Sequence, residues 1–273
     1  MNINNNSLWT DKYAPKCLDD MLISNNNKKI IKEWMESYKK NHNKTKKILL
    51  LSGPPGTGKS TLANILLKEY GYRVIEYNSS ELRGMKNIQQ ILDNTLTYKN
   101  VVDMFKSGKS PVGVVLDEID TLSDSKGEGK GGLKYLLELI KNADGTIKKK
   151  KSKKKKENKL MKIESPIICT YNDFKDKKLT ALKKYSIHIP LKKIPNMLLE
   201  KVIDKIAKNE NFTIDFDAKI ILMNYSSGDI RRLINLLYYT VIKINGNITL
   251  ENVETVMENF DEKTVEMEIY EMT

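Results

Sequence analysis

KILLLSGPPGTGKSTLANILLKEYG, residues 47–71, contains three kinds of sequence in immediate succession. KILLLSG is an unbroken apolar run of strand length closed by glycine, which reads as a buried strand. GPPGTGKS, Gly53 to Ser60, fits the pattern G-x-x-x-x-G-K-[ST] with nothing missing. TLANILLKEYG then reads as a helix ended by glycine. Glycines at 53, 56 and 58 let a backbone turn tightly enough for loop N–H groups to face phosphate oxygens, with the positive end of the next helix behind them. Gly53, Pro54, Pro55, Gly56, Thr57, Gly58, Lys59, Ser60 and Thr61 are therefore the expected nucleotide site. Lys59 is expected to reach the β- and γ-phosphates, and Ser60 to ligate Mg²⁺.

Working outward, four more strand candidates follow: YRVIEYN (72–78), PVGVVLD (111–117), PIICTYN (166–172) and SIHIP (186–190). Helix-length segments separate the first four strands, and such alternation predicts an α/β fold with a parallel sheet covered on both faces. Ahead of the loop, Ile31, Trp34, Met35 and Tyr38 share one helical face. After Pro195 the pattern becomes purely helical, with stripes at Leu199, Val202, Ile203, Ile206 and at Ile230, Leu233, Ile234, Leu237. The expected organisation is an α/β nucleotide-binding domain over 1–190, a small all-α lid over 191–262, and an acidic tail over 263–273.

VVLDEID, Val114 to Asp120, sets carboxylates at the carboxyl end of an apolar strand, where open α/β sheets place their ligands. Asp117 is expected to hold the magnesium, and Glu118 to polarise an attacking water. The second acid points to an NTP hydrolase rather than a nucleotide kinase. Asn172 ends the PIICTYN strand, where its amide could orient that water. Arg231 opens the helix IRRLINLL, where it could reach a γ-phosphate. Taken alone, an Asn-Asp pair after a strand is more often a turn, and an arginine in a first helical turn is usually a surface charge.

The formal charge is +12, but eight lysines fall within Lys148–Lys156, and setting them aside leaves only +4. Net charge is thus a weak argument for a nucleic-acid partner. The run lies in an insertion at about 145–162, expected to be extended by self-repulsion and readable as a solvated loop, a tether to DNA phosphates or a nuclear import signal. Cys17 and Cys169 are too few for a disulfide framework. His42 and His188 suggest no metal site. No apolar stretch approaches the roughly 20 residues of a membrane span, so an intracellular, soluble protein is expected.

The motifs together resemble those of AAA+ ATPases of the sliding-clamp loader group, most of all the large subunit of replication factor C. LWTDKYAPKCLDDM (8–21) is similar to the group's opening box, GPPGTGKST to its Walker A, VVLDEID to its Walker B, PIICTYND to its sensor 1 and SSGDIRRLINLL to its sensor 2. The resemblance implies that Tyr13 and Pro15 lie by the adenine of ATP, and that Asn172 and Arg231 serve as the two sensors. It implies ATP and Mg²⁺ as ligands, and clamp-loader small subunits, a sliding clamp and primer-template DNA as partners in a hetero-oligomer at a nucleus or viral replication site. DNA would be tracked by Arg83 and Lys86, with Lys130 and Lys134 as further contacts.

Two departures stand out. Small subunits of the group carry Ser-Arg-Cys after sensor 1, whereas ALKKYSIHIP here has no arginine, so this chain is expected to receive an arginine finger rather than donate one. Members also continue into a helical collar, for which little chain follows the helix around Thr240. An ATP-gated scaffold with little hydrolysis is the alternative reading. A branch-migration motor or protein remodeller fits less well, since those usually supply their own finger.

Overall fold

The computed structural model describes residues 8–41, 45–78, 111–121, 132–143, 165–172, 177–244 and 246–258. The lysine run, the acidic tail, Arg83, Lys86, Lys130, His42 and the side chain of Lys134 lie outside the described residues. The chain divides into two compact units: Cys17–Pro54 with Lys59–Leu191, and Met1–Lys16 with Pro55–Gly58 and Lys192–Thr273. Against the expected 1–190 domain, the segment before Cys17 and Pro55–Gly58 go with the helices, and Leu191 goes with the sheet.

The first unit is built on a parallel sheet of β1 (Ile48–Ser52), β2 (Arg73–Asn78), β3 (Val112–Asp117), β4 (Ile167–Tyr171) and β5 (Ser186–Pro190), ordered β2-β3-β4-β1-β5. All five are the strands expected from the apolar runs. Alternation along β1 divides its side chains between two cores. Ile48 and Leu50 join Val114, Leu116, Ile167 and Cys169 beneath Leu136 and Ile140 of the helix Gly132–Ala143 and Leu182 of the helix Lys177–Lys183. Leu49 and Leu51 join Val115 and Ile168 on the other face, covered by Ile31, Trp34, Met35 and Tyr38 of α2 (Asn25–Asn41) and by Leu62, Leu66 and Leu67 of α3 (Lys59–Glu69). Burial on both faces explains why β1, β3 and β4 read as continuous apolar runs.

Parallel pairing brings the carboxyl ends of β1, β3 and β4 to one edge. Ser52 pairs with Tyr171, and Leu116 with Cys169, so the glycine loop, Asp117 and Thr170 start from adjacent strand ends. The fold positions the chemistry by register alone.

The second unit carries α6 (Asn196–Glu210), α7 (Phe216–Ser226), α8 (Ile230–Ile244) and α9 (Leu250–Glu258), with α1 (Trp9–Lys12) packed on α8; the helices 132–143 and 177–183 are α4 and α5. Both stripes expected after Pro195 are present, with Leu199, Ile203, Ile206, Leu233 and Leu237 fully buried. Asn211 and Ser227 end α6 and α7 in the left-handed conformation. Trp9 is buried here, stacked on Phe212 at 6.2 Å and tilted against Tyr238 at 5.0 Å.

Candidate functional site

Within the glycine loop, φ is +152° at Gly53, +67° at Gly56 and +80° at Gly58. Side-chain-bearing residues rarely adopt these angles, which accounts for all three glycines of the motif. Lys59 is the first residue of α3 and is only 8% exposed. Its ammonium donates to the carbonyls of Gly53 at 2.9 Å and Pro54 at 2.8 Å. A buried charge needs such partners, and they hold the lysine over the loop it follows.

Ser60, one residue on, donates its hydroxyl to both carboxylate oxygens of Asp117, each at 2.9 Å. A hydroxyl and a carboxylate in contact are hard oxygen donors of the kind magnesium takes when it keeps several waters and adds one or two protein ligands. The donor set therefore fits Mg²⁺. Glu118 follows with φ of +55°, turning the chain sharply as it leaves β3. Asn172 is half-buried just past β4, and its N–H donates to Asp120 Oδ2 at 3.2 Å. Lys59, Ser60, Asp117, Glu118 and Asn172 all belong to the sheet unit.

Of the other expected residues, Tyr13, Pro15, Pro55, Gly56, Thr57, Gly58 and Arg231 belong to the helical unit, and Gly53, Pro54 and Thr61 to the sheet unit. Tyr13 is tied to α6: its hydroxyl donates to Glu210 Oε1, which also receives Lys12 Nζ at 2.6 Å. Burial first, then the bond to Glu210 and its negative charge, push the Tyr13 phenol up from its usual range. Pro15 is half-buried two residues on. Arg231 is exposed in the first turn of α8. Pro55 is exposed, Thr57 buried, and Gly56 accepts the Ile230 N–H at 3.3 Å. Thr61 is half-buried in the first turn of α3, in the sheet unit.

Three features escaped the sequence reading. Thr170, fully buried in β4, donates its hydroxyl to Asp117 Oδ1 and accepts the Glu118 N–H at 3.1 Å; a hydroxyl in the otherwise apolar core of IICTY was the available signal. Asp229 caps α8, accepting the Arg232 N–H at 3.0 Å, and its place in S-G-D-I-R-R is that of a helix N-cap. His188 Nε2 lies 2.6 Å from the Ser52 hydroxyl and 3.2 Å from that of Tyr171, linking the middle of β5 to the ends of β1 and β4. Burial, then the charge of Lys183, lower its pKa. Among the described residues no group of His, Cys, Asp and Glu could hold a metal ion by itself, and no helix is long and apolar enough to cross a membrane.

Known proteins resemble this chain in sequence and in fold. The Rad17 P-loop domain family matches residues 1–126. The structure resembles the Thermotoga maritima RuvB Holliday junction branch migration motor, with a TM-score of 0.61 and 20% identity over 90% of this chain and 72% of that one, a likeness of fold. The chain has an AAA+ P-loop fold, and its sequence is similar to that of ATPases of the clamp-loader group. Within that group the chain is similar to the replication factor C large subunit of Methanococcus maripaludis strain C6, 30% identical over 257 residues, 94% of this chain and 46% of the relative. It is likewise similar to that of Nanoarchaeum equitans, 33% identical over 232 residues, 85% of this chain and 47% of the relative. The chain thus spans about half the length of the curated relatives it matches.

Proposed function

We propose that this chain is an ATP-hydrolysing subunit of a clamp-loader-like complex, coupling ATP binding and hydrolysis to the loading of a sliding clamp on primer-template DNA during replication. The observation that carries the reading is the Ser60–Asp117 contact beside the buried Lys59, with Glu118 next in sequence.

In this reading Lys59 exchanges its loop carbonyls for the β- and γ-phosphates of ATP, while Ser60 and Asp117 hold Mg²⁺. Bound magnesium neutralises charge on the phosphates. Glu118 polarises the attacking water, Asn172 orients it, and Arg231 is the cation that pairs with the γ-phosphate. Tyr13 and Pro15 flank the adenine. An arginine from a neighbouring small subunit completes the charge stabilisation, a contribution of roughly 10³ to 10⁵ in rate where such fingers have been measured. The same reading puts the protein at replicating DNA, in a nucleus or at a viral replication site.

The test is to combine the chain with candidate small subunits and their clamp and to measure ATP turnover. Stimulation by clamp and primed DNA together is expected, and its absence overturns the loader assignment. Glu118→Gln separates a loader from an ATP-gated scaffold. A loader carrying it stalls with nucleotide and DNA bound, whereas a scaffold works unchanged.

A further inference from the structure

Of the three non-glycine residues with positive φ among the described ones, Asn211 and Ser227 end helices, where that conformation is common. Glu118 does not. It ends a strand, and a left-handed residue there persists only if its surroundings hold it. The partner that holds it is Thr170. The Glu118 N–H is bonded to the Thr170 hydroxyl at 3.1 Å, and the next N–H, that of Ile119, to the Thr170 carbonyl at 3.0 Å. One buried residue thus captures two successive N–H groups of the turned segment.

The same hydroxyl can donate a single proton, and it donates it to Asp117 Oδ1. Ser60 donates to both oxygens of that carboxylate. We infer that Thr170 is a positioning residue that sets two groups at once: it fixes the plane of the Asp117 carboxylate toward Ser60, and it locks the backbone turn from which Glu118 projects. This inference rests on the reading of Asp117 as a magnesium ligand and Glu118 as the residue that polarises water.

The geometry explains why a hydroxyl occupies a position with 0% exposure in a strand whose neighbours are apolar. Valine has nearly the same shape and can neither accept from Glu118 nor donate to Asp117. Its introduction leaves the half-buried Glu118 N–H unpaired and lets the carboxylate rotate. Serine keeps both bonds.

The experiment uses the full chain with Thr170→Val and Thr170→Ser, each checked by thermal melting. Binding of a fluorescent ATP analogue is titrated with magnesium and repeated in EDTA, and turnover is measured separately. The wild type is expected to bind with magnesium dependence. Thr170→Val is expected to keep its metal-free affinity within about twofold, to need roughly tenfold more magnesium, and to lose about tenfold to a hundredfold in kcat with little change in KM, as befits a lost hydrogen bond to a charged group. Thr170→Ser should stay within about threefold of wild type. Should the valine variant fail to fold, Thr170→Ala takes its place with the same expectation. A valine or alanine variant that matches the wild type in magnesium requirement and kcat overturns this inference alone, as does a serine variant as impaired as the valine one. A wild type with no magnesium-dependent binding overturns the parent reading and this inference with it.

Discussion

Gly56 sits where the glycine loop meets the start of α8, and Gly56→Ala tests that junction. An added Cβ would fall 1.8 Å from Asp229 Cγ and 2.0 and 2.1 Å from its carboxylate oxygens, so the Asp229 side chain must swing away. Swinging away breaks its cap on the Arg232 N–H, a bond of 3.0 Å, at a cost of about 1 kcal/mol. The backbone angle of +67° adds about 1–2 kcal/mol for any residue with a Cβ. The sum is about 2–3 kcal/mol, and the two parts can be separated. With Asp229→Ala already present, the cap is gone and Gly56→Ala should cost only the backbone part. A double-mutant cycle followed by urea denaturation should therefore show a coupling of about 1 kcal/mol. Additive effects, or a Gly56→Ala cost below about 0.5 kcal/mol, would refute the steric reasoning.

Trp9→Ala should destabilise the helical unit by about 3–5 kcal/mol, because it removes a buried ring stacked on Phe212 and packed on Tyr238; an unfolding transition that leaves Trp34 fluorescence unmoved while the helices melt would report it. His188 yields a pH prediction. Its folded pKa lies below the ordinary 6.5, so between those two values the unfolded chain binds more protons than the folded one. Stability is complete above about 6.5 and declines as pH falls toward the folded pKa. Urea midpoints at pH 7.5 and 5.5 should differ more in wild type than in His188→Gln, and equal differences would show that His188 contributes nothing to the acid sensitivity.

The parts of this molecule that could be read from sequence are those in which neighbours along the chain do the physical work. β1, the glycine loop and α3 are consecutive, and a strand buried on both faces has to be an apolar run, so KILLLSG and VGVVL announced themselves. Asp117 and Glu118 stood out because carboxylates seldom follow such a run without a role. What stayed hidden depends on register between distant segments. Thr170 meets Asp117 only because β4 lies beside β3, and nothing in IICTY alone tells which strand is its neighbour. Trp9 and Tyr13 pack on Phe212, Tyr238 and Glu210. WTDKYAP has too short a pattern to reveal that it joins residues of the helical unit about 200 or more positions further on.

The most direct test is the affinity of the purified chain for ATP, with and without magnesium, in wild type and in Lys59→Ala. The account predicts magnesium-dependent binding by the wild type and a loss of at least about tenfold on removing the buried ammonium, since a charge-assisted contact to phosphate disappears. Binding that ignores magnesium, or that survives Lys59→Ala undiminished, would contradict it.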